Sequence, residues 1–596
     1  MPLSRDTFDR RTAALPLALA AAVVLLPAVP LGVDLPTHAA MGALLADPGP
    51  TAPLVETSWT ATTQLFVRLV QAFAYVLPPM AAAKAAQLVS LAIATSGAWR
   101  LARATDAPPG TTAAFAAAAS VGFCFVFGFS NFVLGLALSA HTLASGVRSL
   151  RTPGLRAPLV TAALLFATAH AHAIVAGMTL CQLGAFAILP PFRSPYAPFA
   201  RLTRAVLPAL PAAAFAAYVL ARVRDREETV RAGSGLMRRA PLELLGDLAS
   251  TSFGTLSPTA VLPFALLVLA WAAALRSSEP TTRSRAGLLL ALVPWLLAWA
   301  VTPFHLPAWA YAQPRLLAFF LVVAPPLVLA ALPREGRARH LPLLALGGLV
   351  IHLGATAWCA HAEGARTARV LSTVQPASDA SPPGRILTLR LDGGERPRSP
   401  LITPWLHLDA WVAAEGGVPA SWAPFNRWMH SVRPRADVAP WDLAPATYVY
   451  RSLLDAPEEA RAGLRLALAD RAAWQGLAFD TILAPGCEQD LRDRMALRGH
   501  RAVAPCRWRT ERTQVTVTLE APAGESHVVQ VLVVWQESLG PIAGVQTLAP
   551  SGGPIPVGIV PAGPATLRIQ HPSGAVLREL PLDVAGPHVD LTVSLP

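Results

Sequence analysis

For its first 360 residues the chain repeats one pattern: long apolar runs, broken by short gaps that carry arginine. Between Asp106 and Arg148, between Arg156 and Arg193, and between Arg285 and Arg315 there is no Asp, Glu, Lys or Arg. A helix crosses a bilayer core with about 20 apolar residues, so the first two stretches are each too long for one crossing. Each is interrupted near its middle, by "GFSNF" (128–132) and by "HAHA" (170–173). Both therefore predict a hairpin of two spans. Further spans are expected over 13–31, 80–101, 205–222, 258–275, 286–302, 315–333 and 341–360, which gives about 11 in all. "TTQLFVRLVQAFAYVLPP" is amphipathic, short and closed by Pro78 and Pro79. It predicts a helix lying on the membrane surface rather than crossing it.

After residue 360 the pattern changes. Residues 361–509 mix strand-like runs such as "RILTLRL" and "FDTILAP" with helical stretches, which predicts a small α/β domain. Residues 510–596 alternate apolar and polar positions in "TQVTVTLEAP", "HVVQVLVVW" and "HVDLTVSLP", with turns such as "SGGP" between them. That predicts a β-sandwich. The expected fold class is thus mainly α: a polytopic membrane helix bundle over 1–360, then an α/β domain over 361–509 and a β-sandwich over 510–596.

Composition supports this reading. Hydrophobic residues make up 53% of the chain and charged residues 14%, too little charge to cover a soluble protein of this length. The net charge of +12 first suggests a nucleic-acid partner. The arginines instead sit in short gaps (Arg100 and Arg103; Arg148, Arg151 and Arg156; Arg201 and Arg204), as cytoplasmic loops of membrane proteins do. No aromatic-basic stripe suited to nucleic acid is present, so no nucleic-acid partner is expected. This charge bias places the N-terminus in the cytoplasm and the C-terminal domains on the periplasmic or extracellular side of the cytoplasmic membrane. The arginine-rich loop 222–257 runs against that count, although it also carries five acids. On the outer side, Cys487 and Cys506 would be free to form a disulfide or to remain separate thiols.

"LGVDLPTHAA" (31–40) holds the first candidate chemistry. Asp34 and His38 are four residues apart and share a face if the segment is helical. Asp34 is placed to cap that helix, with Pro36 in its first turn. It is equally placed to act as a general base or a metal-binding carboxylate at the mouth of a membrane cavity, with His38 as a second ligand for a divalent ion such as Mg2+ or Mn2+.

The order of motifs resembles the GT-C glycosyltransferases, polytopic enzymes that take sugars from polyprenyl-phosphate carriers. "VDLPTHAAM" is similar to the D-x-P-x-H first loop of a GT-C-like bacterial membrane group, and "GFSNFVLGLAL" to its G-F-x-N-F-x-x-G hairpin. "AHAHA", "YAQPRLLAF" and "FDTILAPG" resemble its later turns and strand. The resemblance covers roughly residues 10–510. It implies a membrane glycosyltransferase acting on a glycan, lipid or protein acceptor outside the cell membrane, with Asp34 deprotonating the acceptor or helping to hold a metal. It implies that Arg315 binds the donor phosphate, with Lys84, His38, His170, His172 and His305 near the substrate. Asp34 departs from the paired acids of many such enzymes, since the next acid is Asp47. Two other readings of the residues stay open: a lipid-linked glycan transporter or flippase, and a non-catalytic membrane-anchored envelope protein. Snorkelling to lipid headgroups is the alternative for Arg315 and Lys84, and interhelical hydrogen bonding for the histidines.

Overall fold

The structure is a computed structural model. It describes residues 5–32, 34–49, 55–57, 64–189, 194–224, 256–276, 289–303, 312–333, 337–372, 385–388, 410, 413, 418–419, 432–434, 481–483, 489–497, 500–504, 506–510, 512–520, 528–537, 540–550, 554–561, 563–571, 575–584 and 588–594. The chain divides into two compact units. The first holds Met1–Arg369, Arg396–Gly416 and Trp422–Pro440. The second holds Val370–Glu395, Gly417–Ser421 and Trp441–Pro596.

The first unit is helical. Its elements are α1 (Arg5–Leu25), α2 (Leu35–Ala46), α3 (Leu65–Ala74), α4 (Pro79–Thr105), α5 (Pro109–Ser120), α6 (Phe123–Val126), α7 (Ser130–Arg151), α8 (Arg156–Ala171) and α9 (Ala173–Ile188). They continue with α10 (Pro198–Val206), α11 (Leu210–Arg224), α12 (Val261–Arg276), α13 (Val293–Val301), α14 (Ala312–Ala330) and α15 (Leu341–Ser372). The helices are interrupted at both expected places. The first charge-free stretch is interrupted between α6 and α7, and the second at His172 between α8 and α9. The "LFVRLVQAFA" segment forms the short helix α3, and Pro79 opens α4.

Alanine and glycine let these helices approach closely, as in membrane bundles generally. A Cβ on Gly97 would lie 2.7 Å from the His141 ring on α7, and Gly146 meets Leu183 of α9. One apolar cluster runs through α1, α4, α5, α7, α9 and α12–α15, with Phe115, Phe123, Phe132, Phe186 and Phe319 almost fully buried in it. By length and composition, four helical stretches among the described residues can cross a membrane: Pro109–Val126, Pro258–Arg276, Ala312–Ala330 and Ala338–Arg369. The apolar stretches Ala13–Leu25 and Ala173–Ile188 are shorter. At 1.5 Å per residue, the 27 residues of α4 extend about 40 Å.

One feature of this unit was not anticipated. Strand β1 (Val55–Thr57) pairs antiparallel with β4 (Val432–Pro434), and Ala410 and Ala413 pack against Ala40, Met41 and Leu44 of α2 and Val67 of α3. The polar chain beyond the last long helix thus returns to the first loop.

The second unit contains a mixed five-stranded sheet of order β3-β2-β5-β7-β6. Its strands are β2 (Arg385–Thr388), β3 (Val418–Pro419), β5 (Thr481–Leu483), β6 (His500–Ala504) and β7 (Arg507–Thr510), with α16 (Gln489–Leu497) between β5 and β6. β2 runs parallel to β3 and β5, and β7 antiparallel to its neighbours. The C-terminal strands form a four-stranded and a three-stranded sheet. Alternate residues of each, including Val515, Val517, Val531, Val533, Leu567 and Ile569, share one buried cluster. Cys506 is disulfide-bonded, while Cys487, its expected partner, lies outside the described residues. Loop 222–257 also falls almost wholly outside them. Cys124, Cys181 and Cys359 are free thiols. Alkylation of the denatured, unreduced protein should label three thiols, and reduction should expose two more, read by intact mass. Five labels before reduction would contradict the bridge.

Candidate functional site

The breaks in the helices meet one another. Gly32 and Asp34 lie between α1 and α2, with Gly32 at φ +137°. The Asp34 N–H donates to the carbonyl of Phe127 at 3.1 Å. Phe127 begins the turn between α6 and α7, where Gly128 has φ +73°. A Cβ on Gly128 would lie 2.5 Å from the Asp34 nitrogen, so only glycine suits both the backbone angle and the contact. Two glycines, Gly32 and Gly128, thus let two loops pass at backbone distance, and Asp34 is fixed where they cross.

Asp34 occupies the N-cap position of α2, yet its carboxylate makes no capping hydrogen bond. Its own carbonyl accepts from Thr37 and His38. The half-buried carboxylate is therefore not spent on the helix end. His38, one turn along α2, sets its ring edge-on to Phe66 of α3 at 5.9 Å between centroids.

The same turn anchors α3. The Asn131 side-chain oxygen accepts from the Phe66 N–H at 3.0 Å, in a buried position. Sequence reasoning gives Asn131 a structural part, through a positive φ or a bond to a buried carbonyl. The structure shows another route, in which it accepts one of the orphan N–H groups of a helix start. Gln64, just before α3, donates its N–H to the carbonyl of His170 at 3.3 Å. Arg68 of α3 bonds Gln71 at 2.8 Å and Gln64 at 3.2 Å. Burial lowers the Arg68 pKa, with Tyr75 acting in the opposite direction. The group stays cationic at neutral pH, and its charge reaches His170.

Arg315 stands in the first turn of α14. Its guanidinium carbon lies 3.8 Å from the centre of the Phe129 ring and 5.5 Å from that of Phe132. Such cation–π contacts hold a guanidinium by about 1–2 kcal/mol. His172, buried at the break between α8 and α9, meets the Phe132 ring at 5.1 Å and feels the Arg315 charge. The 127–132 turn is therefore common ground. Asp34 is held by its backbone, Arg315 by its aromatic faces and His172 by Phe132.

Not every expected residue joins this group. Lys84 donates to the carbonyl of Pro27 at 2.5 Å and lies 3.4 Å from that of Leu25. These are carbonyls at and just beyond the C-terminal end of α1, which a helix leaves without partners and at which a cation is favoured. The His361 ring lies 3.2 Å from the carbonyl of Leu26 beside them. His170 is near the site through Arg68, but its ring packs on Phe215 of α11 at 5.3 Å. His305 lies outside the described residues. Among the described residues, no three His, Cys, Asp or Glu side chains are grouped to hold a metal ion.

Three participants escaped sequence reasoning. Phe129 and Phe132 are the platform for Arg315, and their only signal was an aromatic on each side of the predicted hairpin break. Gln87 on α4 is buried, and neither atom of its amide has a partner among the described residues. It faces a small cavity with Phe66, Ser90, Ser120, Phe125 and Ser130, directly beneath the turn. The cavity has room for about one water, the usual partner of such a group.

The chain is similar in structure to ArnT from Cupriavidus metallidurans bound to undecaprenyl phosphate. The identity is 11% and the TM-score 0.43, over 64% of this chain and 82% of that one. It is also similar to the Archaeoglobus fulgidus oligosaccharyltransferase tethered through a disulfide bond with an acceptor peptide containing the NVT sequon. There the identity is 11% and the TM-score 0.36, over 98% and 99% of the two chains. No protein-family model and no curated protein matches the sequence.

Two substitutions test this geometry. Gly128→Ala should cost about 2 kcal/mol or more, from the positive φ and the contact with Asp34. Its unfolding midpoint in detergent should fall well below that of Gly177→Ala, where no atom lies near the added methyl. Lys84→Met should cost about 1–3 kcal/mol by stripping the α1 carbonyls of their donor, read by the same melt. Equal melts for wild type and Lys84→Met would remove the structural role.

Proposed function

We propose that this chain is a GT-C-like integral membrane glycosyltransferase, which passes a sugar from a polyprenyl-phosphate-linked donor to an acceptor hydroxyl. One observation carries the reading: a carboxylate that makes no capping bond to its own helix and a guanidinium seated on an aromatic ring are held by the same short turn. A purely anchoring bundle has no need of that convergence.

In the proposed reaction the Asp34 carboxylate takes the proton of the acceptor hydroxyl as its oxygen attacks the anomeric carbon. The bond from that carbon to the phosphate oxygen breaks, with inversion at carbon. The electron pair leaves with the polyprenyl phosphate, whose growing negative charge is met by Arg315. We assign His38, one turn from Asp34, to the acceptor side, and the buried His172 to the donor side through Phe132, which lies beneath Arg315. His170 and His305 are assigned to the outer rim, and Lys84 a lesser part through α1. A divalent ion would find Asp34 and His38 here, two ligands rather than a closed set, so no step is assigned to it. The reading includes eleven spans in a cytoplasmic membrane, an N-terminus inside, and outer α/β and β-sandwich modules that meet a glycan, lipid or protein acceptor.

The test uses the full-length protein in detergent and a polyprenyl phosphate as probe. Arg315→Gln should weaken carrier binding about tenfold or more, the effect of one charged hydrogen bond. Asp34→Asn should bind the carrier as the wild type does and fail to transfer sugar from a radiolabelled polyprenyl-phosphate donor. Unchanged binding by Arg315→Gln, together with wild-type transfer by Asp34→Asn, would end the proposal.

A further inference from the structure

At the other end of α7, arginines crowd the turn between α7 and α8. Arg148 and Arg151 stand in the last turn of α7, and Arg156 opens α8. Arg201 and Arg204 come from α10. Arg204 is fully engaged. It donates to the carbonyls of Ser149 at 3.0 Å and Gly154 at 2.6 Å, and it stacks on the Tyr196 ring at 4.5 Å. The Tyr196 hydroxyl in turn donates to the carbonyl of Thr152 at 3.1 Å. α10 is thereby clamped onto the end of α7. Arg151 faces Asp106 at 3.6 Å.

The remaining three cations have no anion among the described residues: Arg148, Arg156 and Arg201 form no ion pair there. The Nε of Arg201 is also shielded from solvent without an acceptor. Meanwhile α10 is amphipathic in a particular sense. At 3.6 residues per turn, Phe199, Leu202 and Val206 share one face, while Arg201, Arg204 and the buried Ala205 share the other. The apolar face is the one left open, with Phe199 81% exposed. Leu155 and Leu159 at the start of α8 are exposed as well. Excess positive charge and bare apolar surface side by side are complementary to one class of partner, which carries an anionic head and apolar chains on a single molecule.

We propose that this corner seats an anionic phospholipid. Its headgroup phosphate lies against Arg148 and Arg201, and its acyl chains run past Phe199 and Leu202. α10 then lies in the membrane interface and the clamped Arg204 fixes the seat. This site is separate from the Asp34–Arg315 site and does not depend on its activity.

The experiment is thermal unfolding of the full-length protein in nanodiscs of phosphatidylcholine, alone or mixed with phosphatidylglycerol. The wild type should gain several degrees from phosphatidylglycerol. The double variant Arg148→Gln, Arg201→Gln should lose at least half of that gain, and the control Arg492→Gln in the second unit should keep it. A full gain in the double variant would overturn the proposal. So would an equal gain from inorganic phosphate in phosphatidylcholine alone, which would mark a free-anion site. Should the double variant fail to fold, the wild type in detergent decides by competition. It should retain labelled phosphatidylglycerol about thirtyfold over phosphatidylcholine, from two basic residues at about 1 kcal/mol each, and equal retention would refute the site.

Discussion

Among apolar helices, a break in the backbone cannot turn to solvent for its hydrogen bonds. Every interruption of a helix must find its partners inside the protein, and in this bundle the interruptions find one another. The link before α2 gives its N–H to the turn before α7, and that turn gives its Asn131 oxygen to the start of α3. The residue before α3 in turn bonds the carbonyl of His170 at the end of α8. Chemistry follows from this constraint. Polar and charged side chains are tolerated where backbone order is already broken, so Asp34, His38, Arg68, His172 and Arg315 gather around the same few loops.

Much of this order was legible in the sequence. The charge-free stretches were too long for single spans, and their polar interruptions marked the α6–α7 and α8–α9 breaks. The length and amphipathicity of the segment before Pro78 marked α3. Asp34 stands out in the sequence because a carboxylate beside an apolar run is costly to keep there, and the structure adds the bond of its N–H to Phe127. What pattern alone cannot show is which break meets which. Lys84 illustrates the limit. Its position near a span end suits a phosphate or a headgroup, and only the packing of α1 against α4 gives its ammonium to Pro27 and Leu25. Arg315 illustrates it in the other direction, since its seat on Phe129 depends on two residues nearly 190 positions away. β1 and β4 are three residues each, too short for alternation to announce a strand.

The two ends of the long helices carry opposite kinds of order. At the site end, aromatic rings and glycine-tight turns hold individual charges in place. At the basic end, arginines outnumber the acids around them and lean on helix carbonyls, as with Arg204 on Ser149 and Gly154. Both ends seat a guanidinium on an aromatic ring. Arg315 lies on Phe129, and Arg204 lies on Tyr196 while donating to Ser149 and Gly154.

The pairing of β1 with β4 also sets a schedule. Val55 leaves the ribosome long before its partner Pro434. At roughly 5–20 residues per second the delay is on the order of 20 to 80 seconds. During that interval Ala40, Met41 and Leu44 of α2 lack the cover of Ala410 and Ala413. A ribosome that stalls after the last long helix would release a bundle whose helices are all made but whose first loop is unfinished. The cover of α2 is thus the last part of the helical unit to be made.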